Sequence, residues 1–164
     1  MKIGILTFHR AHNYGAMLQT YALQKYLNKL GHKVYVIDYF PLSFKRTYRR
    51  NFPALPRNPF YLCKILKDEL FIHKDRIKRY DSFSNFMESN LNLYPYKDGF
   101  DGHEFDHIFI GSDQVWNKTL FRGFDKMFWG AGLKCKYSSY AASMAWYRPE
   151  KEEISIFLRH IENF

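Results

Sequence analysis

At 164 residues, with 46% hydrophobic and 20% aromatic residues, the chain is long enough for one domain with a full core and too apolar for intrinsic disorder. Two cysteines, Cys63 and Cys135, make neither a metal-ligand spacing nor a disulfide framework, which points to a reducing cytoplasm; no run approaches the roughly 20 apolar residues of a membrane span. The net charge of +9 is concentrated, because Leu42 to Tyr80 holds eleven basic residues against Asp68, Glu69 and Asp75, so a high pI describes one segment and not the whole surface.

Lys2 to Thr7 (KIGILT) is a continuous apolar run, the pattern of a strand buried on both faces. It begins where a secretory leader would need its basic and apolar regions, so no export is expected. Ala16, Thr20, Leu23, Leu27 and Leu30 then recur on one helical face. Gly31 supplies a C′ stop, and Lys33 to Tyr39 (KVYVIDY) is a strand rich in β-branched and aromatic residues. The unit is β-α-β. Its first turn, HRAHNYG, therefore lies at the carboxyl end of a strand, where open α/β sheets bind ligands.

Pro41, Pro53, Pro56 and Pro59 mark 40–60 as an irregular loop ending near Asn58 or Pro59. Apolar spacing predicts two helices next, Tyr61 to Ile72 and Asp75 to Leu91. Beyond the turn signals at Pro95 and Lys97 to Gly102, Asp106 to Ser112 is a third buried strand. Gly123 to Trp129 reads as a short strand or an aromatic loop, and Lys136 to Ser143 as a fourth strand. Pro149 to Phe164 is an amphipathic helix, with Ile154, Phe157, Leu158 and Ile161 on one face and Glu150, Glu152 and Glu153 in its first turn. The fold class expected is α/β: a Rossmann-like, mostly parallel sheet flanked by helices, forming a single domain over 1–164 with a basic helical insertion at about 41–95. Because α/β alternation calls for another strand after the last helix, the sequence is expected to be the amino-terminal part of something longer.

Three loops should open at one sheet edge: His9 to Gly15, Gly111 to Asn117 (GSDQVWN), and Ser143 to Arg148 (SMAWYR). In the first, Asn13 and Gly15 suit a turn, the free amides at the helix start make an anion site, and His9, Arg10 and His12 add positive charge. The plainer reading makes Asn13 a helix cap and the histidines solvated loop residues. A metal site on His9 and His12 lacks a third ligand, and none is expected. In the second loop Gly111, Ser112, Asp113, Gln114 and Asn117 concentrate donors and acceptors beside the indole of Trp116. Asp113 is a base, a hydroxyl acceptor or an Asx-turn residue. Ser112 stands outside a G-x-S-x-G elbow, and the sequence has neither G-x-G-x-x-G nor a Walker A loop, which argues against a serine hydrolase, a dinucleotide enzyme and a P-loop NTPase.

The stretches KIGILTFHRAHNYGAMLQTYALQKYLNKLGHKVYVIDY, FDHIFIGSDQVWN and KYSSYAAS, in that order, resemble the amino-terminal half of the polysaccharide pyruvyl transferase family. They cover most of the chain outside the basic segment. The resemblance implies one half of a GT-B-like fold, two Rossmann-like domains with the substrate cleft between them. It also implies transfer of a pyruvyl group from phosphoenolpyruvate, as donor substrate and with no further cofactor, to a sugar hydroxyl pair of an exopolysaccharide or its lipid-linked precursor. On this reading Asp113 is the catalytic residue, and His9, Arg10, Asn13, Tyr14, Gly15, Gly111, Ser112, Gln114, Trp116, Asn117 and Ser143 bind substrate. The family's arginines and histidine for gripping phosphoenolpyruvate and supplying the acid lie mainly in a carboxyl-terminal domain absent from this sequence, so activity is expected to require that half. The rival readings are a non-catalytic glycan-binding remnant and a nucleotide-sugar glycosyltransferase domain. The basic segment 42–80 is either a solvated face or a contact for an anionic glycan or the inner face of an anionic membrane, with Phe44, Tyr48 and Phe52 beside the charge. Nucleic acid is a third option without a recognised motif in its support.

Overall fold

The computed structural model describes residues 1–42, 59–121, 123–162 and 164, and the side chains of the helix beginning at Pro59 from residue 74 onward. The proline-rich stretch expected to be a loop lies, between 43 and 58, outside the described residues. Five strands, β1 (Lys2–Leu6), β2 (Lys33–Ile37), β3 (Leu93–Tyr94), β4 (His107–Gly111) and β5 (Lys136–Tyr140), form one parallel sheet in the order β3-β2-β1-β4-β5. This is the Rossmann-like α/β sheet expected from the sequence. β1 is its centre, with Ile3 opposite Val34 on one side and His107 on the other. Strand order reverses between β1 and β4, which makes their carboxyl ends the topological switch point.

A parallel sheet must be covered on both faces, and two different materials do it here. On one face α1 (Tyr14–Lys29) and α2 (Pro59–Asn90) pack Met17, Leu27, Phe83 and Met87, with Leu91 just after α2, against Ile3, Ile5, Val34 and Val36. The buried Gln24 side chain ties these helices to the sheet: it donates to the Asn90 carbonyl at 3.1 Å and accepts from the Asn92 amide at 2.8 Å. On the other face lies a layer of aromatic loop, in which Phe8, Phe105, Val115, Met127 and Phe128 surround Leu6, Ile37, Ile108 and Ile110. Phe8 meets Phe121 at 5.3 Å and Phe128 edge-on at 5.1 Å. The short α3 (Lys118–Phe121) and a 3-10 turn, Lys126–Trp129, belong to this layer, and α4 (Lys151–Ile161) rests on it through Phe157, whose ring packs on Phe124 and Trp129.

Several elements differ from the sequence expectations. The two helices expected at 61–72 and 75–91 are one continuous α2, because nothing between Ile72 and Asp75 interrupts the backbone; neither glycine nor proline occurs there. The two-residue β3 was not foreseen, being too short for periodicity to register. Gly123 to Trp129, left between strand and loop, is loop followed by the 3-10 turn, which Asp125 caps by accepting from the Met127 amide. β5 ends at Tyr140 rather than Ser143, since Ala141 takes a positive φ of 50° and leaves the extended region. In α4 the expected apolar face is only partly used: Phe157 is buried, while Ile154, Leu158 and Ile161 are 43%, 55% and 44% exposed. Truncating Phe128 to alanine should therefore destabilise the fold by about 3–5 kcal/mol, and Leu158→Ala by less than about 0.5 kcal/mol. Urea denaturation of the two variants checks this contrast.

Candidate functional site

The switch point is built from the loops that follow β1 and β4. Their anchors, Phe8 and Ala11 from one and Val115 from the other, share a single buried cluster. The third loop is fastened to the second by two backbone hydrogen bonds, Ser143 N to Asp113 O at 3.0 Å and Trp116 N to Ser143 O at 3.1 Å. The three loops singled out in the sequence thus leave parallel strands at the same edge.

In the β1–α1 loop most of the expected anion-binding groups are occupied by the protein itself. Asn13 is the helix cap: its Oδ1 accepts from the Gly15 amide at 2.8 Å and the Ala16 amide at 3.3 Å. Two of the amides that would have formed an anion site are thereby satisfied. Arg10 clasps Asp38 at the end of β2, Nη2 to Oδ2 at 2.6 Å with Nε donating to Oδ1. His9 is not solvated but fully buried, its Nε2 3.0 Å from Asp38 Oδ1 and its Nδ1 3.2 Å from the Thr7 carbonyl. Burial by itself would raise the Asp38 carboxyl, yet the hydrogen bonds from Arg10 and His9, with the guanidinium charge, hold it well below the usual carboxylate range. His12 stacks on Phe83 at 5.1 Å, and burial, then the neighbouring Arg79 charge, lower its pKa from the usual histidine value. Tyr14, 74% exposed, and Gly15 stand outside the core at the start of α1.

The β4 loop begins with backbone that few residues tolerate. Gly111 has φ 127°, and a Cβ there would lie 2.7 Å from both the Cβ of Ala142 and the carbonyl oxygen of Tyr140. Ser112 follows at φ 64°, buried, with no hydrogen-bond partner for its Oγ among the described residues. A non-glycine residue in this region stores strain. Asp113 is half-buried; its Oδ1 accepts from the Gln114 amide at 2.7 Å, and burial outweighs that bond to raise its carboxyl pKa. The Asx-turn alternative requires a bond two residues on, whereas the observed one reaches only the next residue. Three other site residues turn inward. Gln114 accepts from Asn117 Nδ2 at 3.0 Å, and the fully buried Asn117 accepts from the Thr119 amide and hydroxyl. Trp116 donates from Nε1 to the Phe128 carbonyl at 3.0 Å and stacks on the buried Trp129 at 4.8 Å. Gln114, Trp116 and Asn117 thus hold the loop in shape, while Asp113 is half-buried and Tyr14 and Ser143 are exposed.

Asp38 is the residue that sequence reading missed. Its one signal is position, as a carboxylate closing a buried strand beside the strand that carries two basic loop residues. Among the described residues no group of three His, Cys, Asp or Glu side chains comes together to hold a metal, and no helix is long and apolar enough to cross a membrane.

A five-stranded parallel sheet flanked by helices, with its polar loops gathered at the switch point, defines a Rossmann-like α/β domain. A family model described as polysaccharide pyruvyl transferase matches residues 13–162, and the chain belongs to that family. No match to the chain was found among curated proteins or among solved structures.

Since Asp38 is held low in the fold and is ordinary in the unfolded chain, its stabilisation is complete above the usual carboxylate range and is lost as pH falls through that range toward the lower folded value. Asp38→Asn should cost about 2 kcal/mol at pH 7 and flatten the loss of stability below about pH 5. Denaturation midpoints measured across that range check both effects, and an unaltered acid limb would assign the pH dependence to other groups.

Proposed function

We propose that the chain contributes one wall of a pyruvyl transferase site in which Asp113 is the acid–base residue and the β1–α1 loop and Ser143 position a saccharide and phosphoenolpyruvate. The observation that carries this reading is the coincidence of the family match with a half-buried carboxyl of raised pKa at the switch point. A base works best with a pKa moved toward the operating pH, and burial moves Asp113 in that direction. In the reaction a sugar hydroxyl gives its proton to Asp113 as its oxygen bonds to C2 of the enol. The C2–C3 double bond opens and its electron pair takes a proton at the methylene carbon, making a methyl group, and the proton held by Asp113 replaces the one delivered. A second hydroxyl then bonds to C2 as the C2–phosphate bond breaks, and its proton leaves with the phosphate. The balance is one ketal and one inorganic phosphate.

Charge on the donor must also be met by cations. Here Arg10 is committed to Asp38 and the first-turn amides to Asn13, which supports a second, GT-B-like domain as the source of the cationic grip. On this reading the protein works in the cytoplasm, at the inner face of the membrane when the acceptor is lipid-linked. The same commitment of Arg10 is what favours the second reading, a glycan-binding domain without catalysis.

The test is phosphate release from phosphoenolpyruvate in the presence of acceptor saccharide. With a complementing second domain, the expected result is acceptor-dependent release that falls about 10²–10⁴-fold in Asp113→Asn, together with loss of the acid limb of the pH profile. Saccharide binding without release under all conditions would leave the glycan-binding reading in its place.

A further inference from the structure

A groove of about 400 Å³ lies between α1 and α2 and reaches Tyr14 at the start of α1, and its volume is within the size range of small-molecule sites. Met17 and Leu18 of α1 and Phe83 and Phe86 of α2 form its apolar walls, and Leu18 is 56% exposed on the helix face turned away from the core. At the rim, Lys78 and Arg79 stand against a single carboxylate, Asp75. Arg79 is fixed there, donating to the His12 carbonyl with its guanidinium 5.8 Å from the Phe83 ring. Apolar walls with a cationic rim complement a molecule that has a hydrocarbon part and an anionic head. A groove of this volume takes an extended chain and does not seat an α-helix about 10–12 Å across.

We propose that the α1–α2 groove binds an anionic lipid at a membrane surface, its hydrocarbon chain lying along Leu18, Phe83 and Phe86 and its phosphate meeting Lys78 and Arg79. The basic excess of 42–80 brings the protein to such a surface, and the groove converts that attraction into a lodged chain. Because Arg79 and Phe83 also contact the loop residue His12, the lipid sits beside the β1–α1 loop. Lipid binding here does not depend on pyruvyl transfer.

The experiment is co-sedimentation of the whole chain with vesicles of phosphatidylcholine plus phosphatidylglycerol, and with phosphatidylcholine alone, for the parent and two surface variants, Leu18→Ser and Lys78→Glu. Circular dichroism of each variant checks folding. Binding only to the anionic vesicles, weakened about tenfold or more in each variant, is the expected result. Binding that Leu18→Ser leaves intact and salt abolishes would overturn the groove and leave only general attraction to the basic segment. Equal binding to both vesicle types, or none to either, would overturn it as well. Phosphate release assayed on the same preparations, supplemented with the complementing second domain, phosphoenolpyruvate and acceptor saccharide, keeps the outcomes separate, since lipid binding without release there contradicts the transferase reading alone.

Discussion

Everything in this fold depends on β1 being covered on all sides. It is hydrogen-bonded on both edges, to β2 and β4, and its side chains alternate between two separate cores. A strand in that position has no solvent-facing side, so the chain must supply cover for two faces from 164 residues. α1 and α2 supply one. The other is supplied by loops, and loops can cover a sheet only if their side chains are large and their own polar groups are satisfied. The aromatic fifth of the sequence answers the first need; the internal hydrogen bonds of Gln114, Asn117, Trp116 and Asp125 answer the second.

That requirement also shapes the site. Several of the polar residues at the carboxyl ends of β1 and β4 are bound to one another. Asp38 draws Arg10 and His9 together, Asn13 closes the helix start, and the Gly111–Ser112 backbone passes against Ala142 in a conformation with positive φ. The result is a cross-linked set of loops in which Arg10, His9, Asn13, Gln114 and Asn117 are all engaged within the protein.

Periodicity made the long elements legible. β1, α1 with its Gly31 stop, β2, β4 and the switch-point loops follow from apolar runs and turn residues, because a buried parallel strand and a helix face each impose a pattern on consecutive positions. What escaped was set by contacts distant in sequence. Nothing local says that Asp38 will pair with Arg10 across 28 positions, that Trp116 will lie on Trp129, or that α4 will bury one of its five apolar residues and expose four. The break expected near His73 came from a lapse in apolar spacing, but a lapse in spacing does not stop a helix that lacks glycine or proline. The family resemblance carried the functional reading, while which of the loop side chains are engaged within the protein was set by packing that no local pattern records.

The central claim, that ligands meet this domain at the carboxyl edge of β1 and β4, is tested most directly by mapping amide chemical shifts of the isotope-labelled chain as phosphoenolpyruvate and an acceptor saccharide are added. The account predicts changes confined to the loops at 9–15, 112–117 and 143–148, with Asp113 among the largest. Changes at the opposite edge, around Gly31 to Lys33 and Glu104 to Asp106, or no change with either compound, would contradict it.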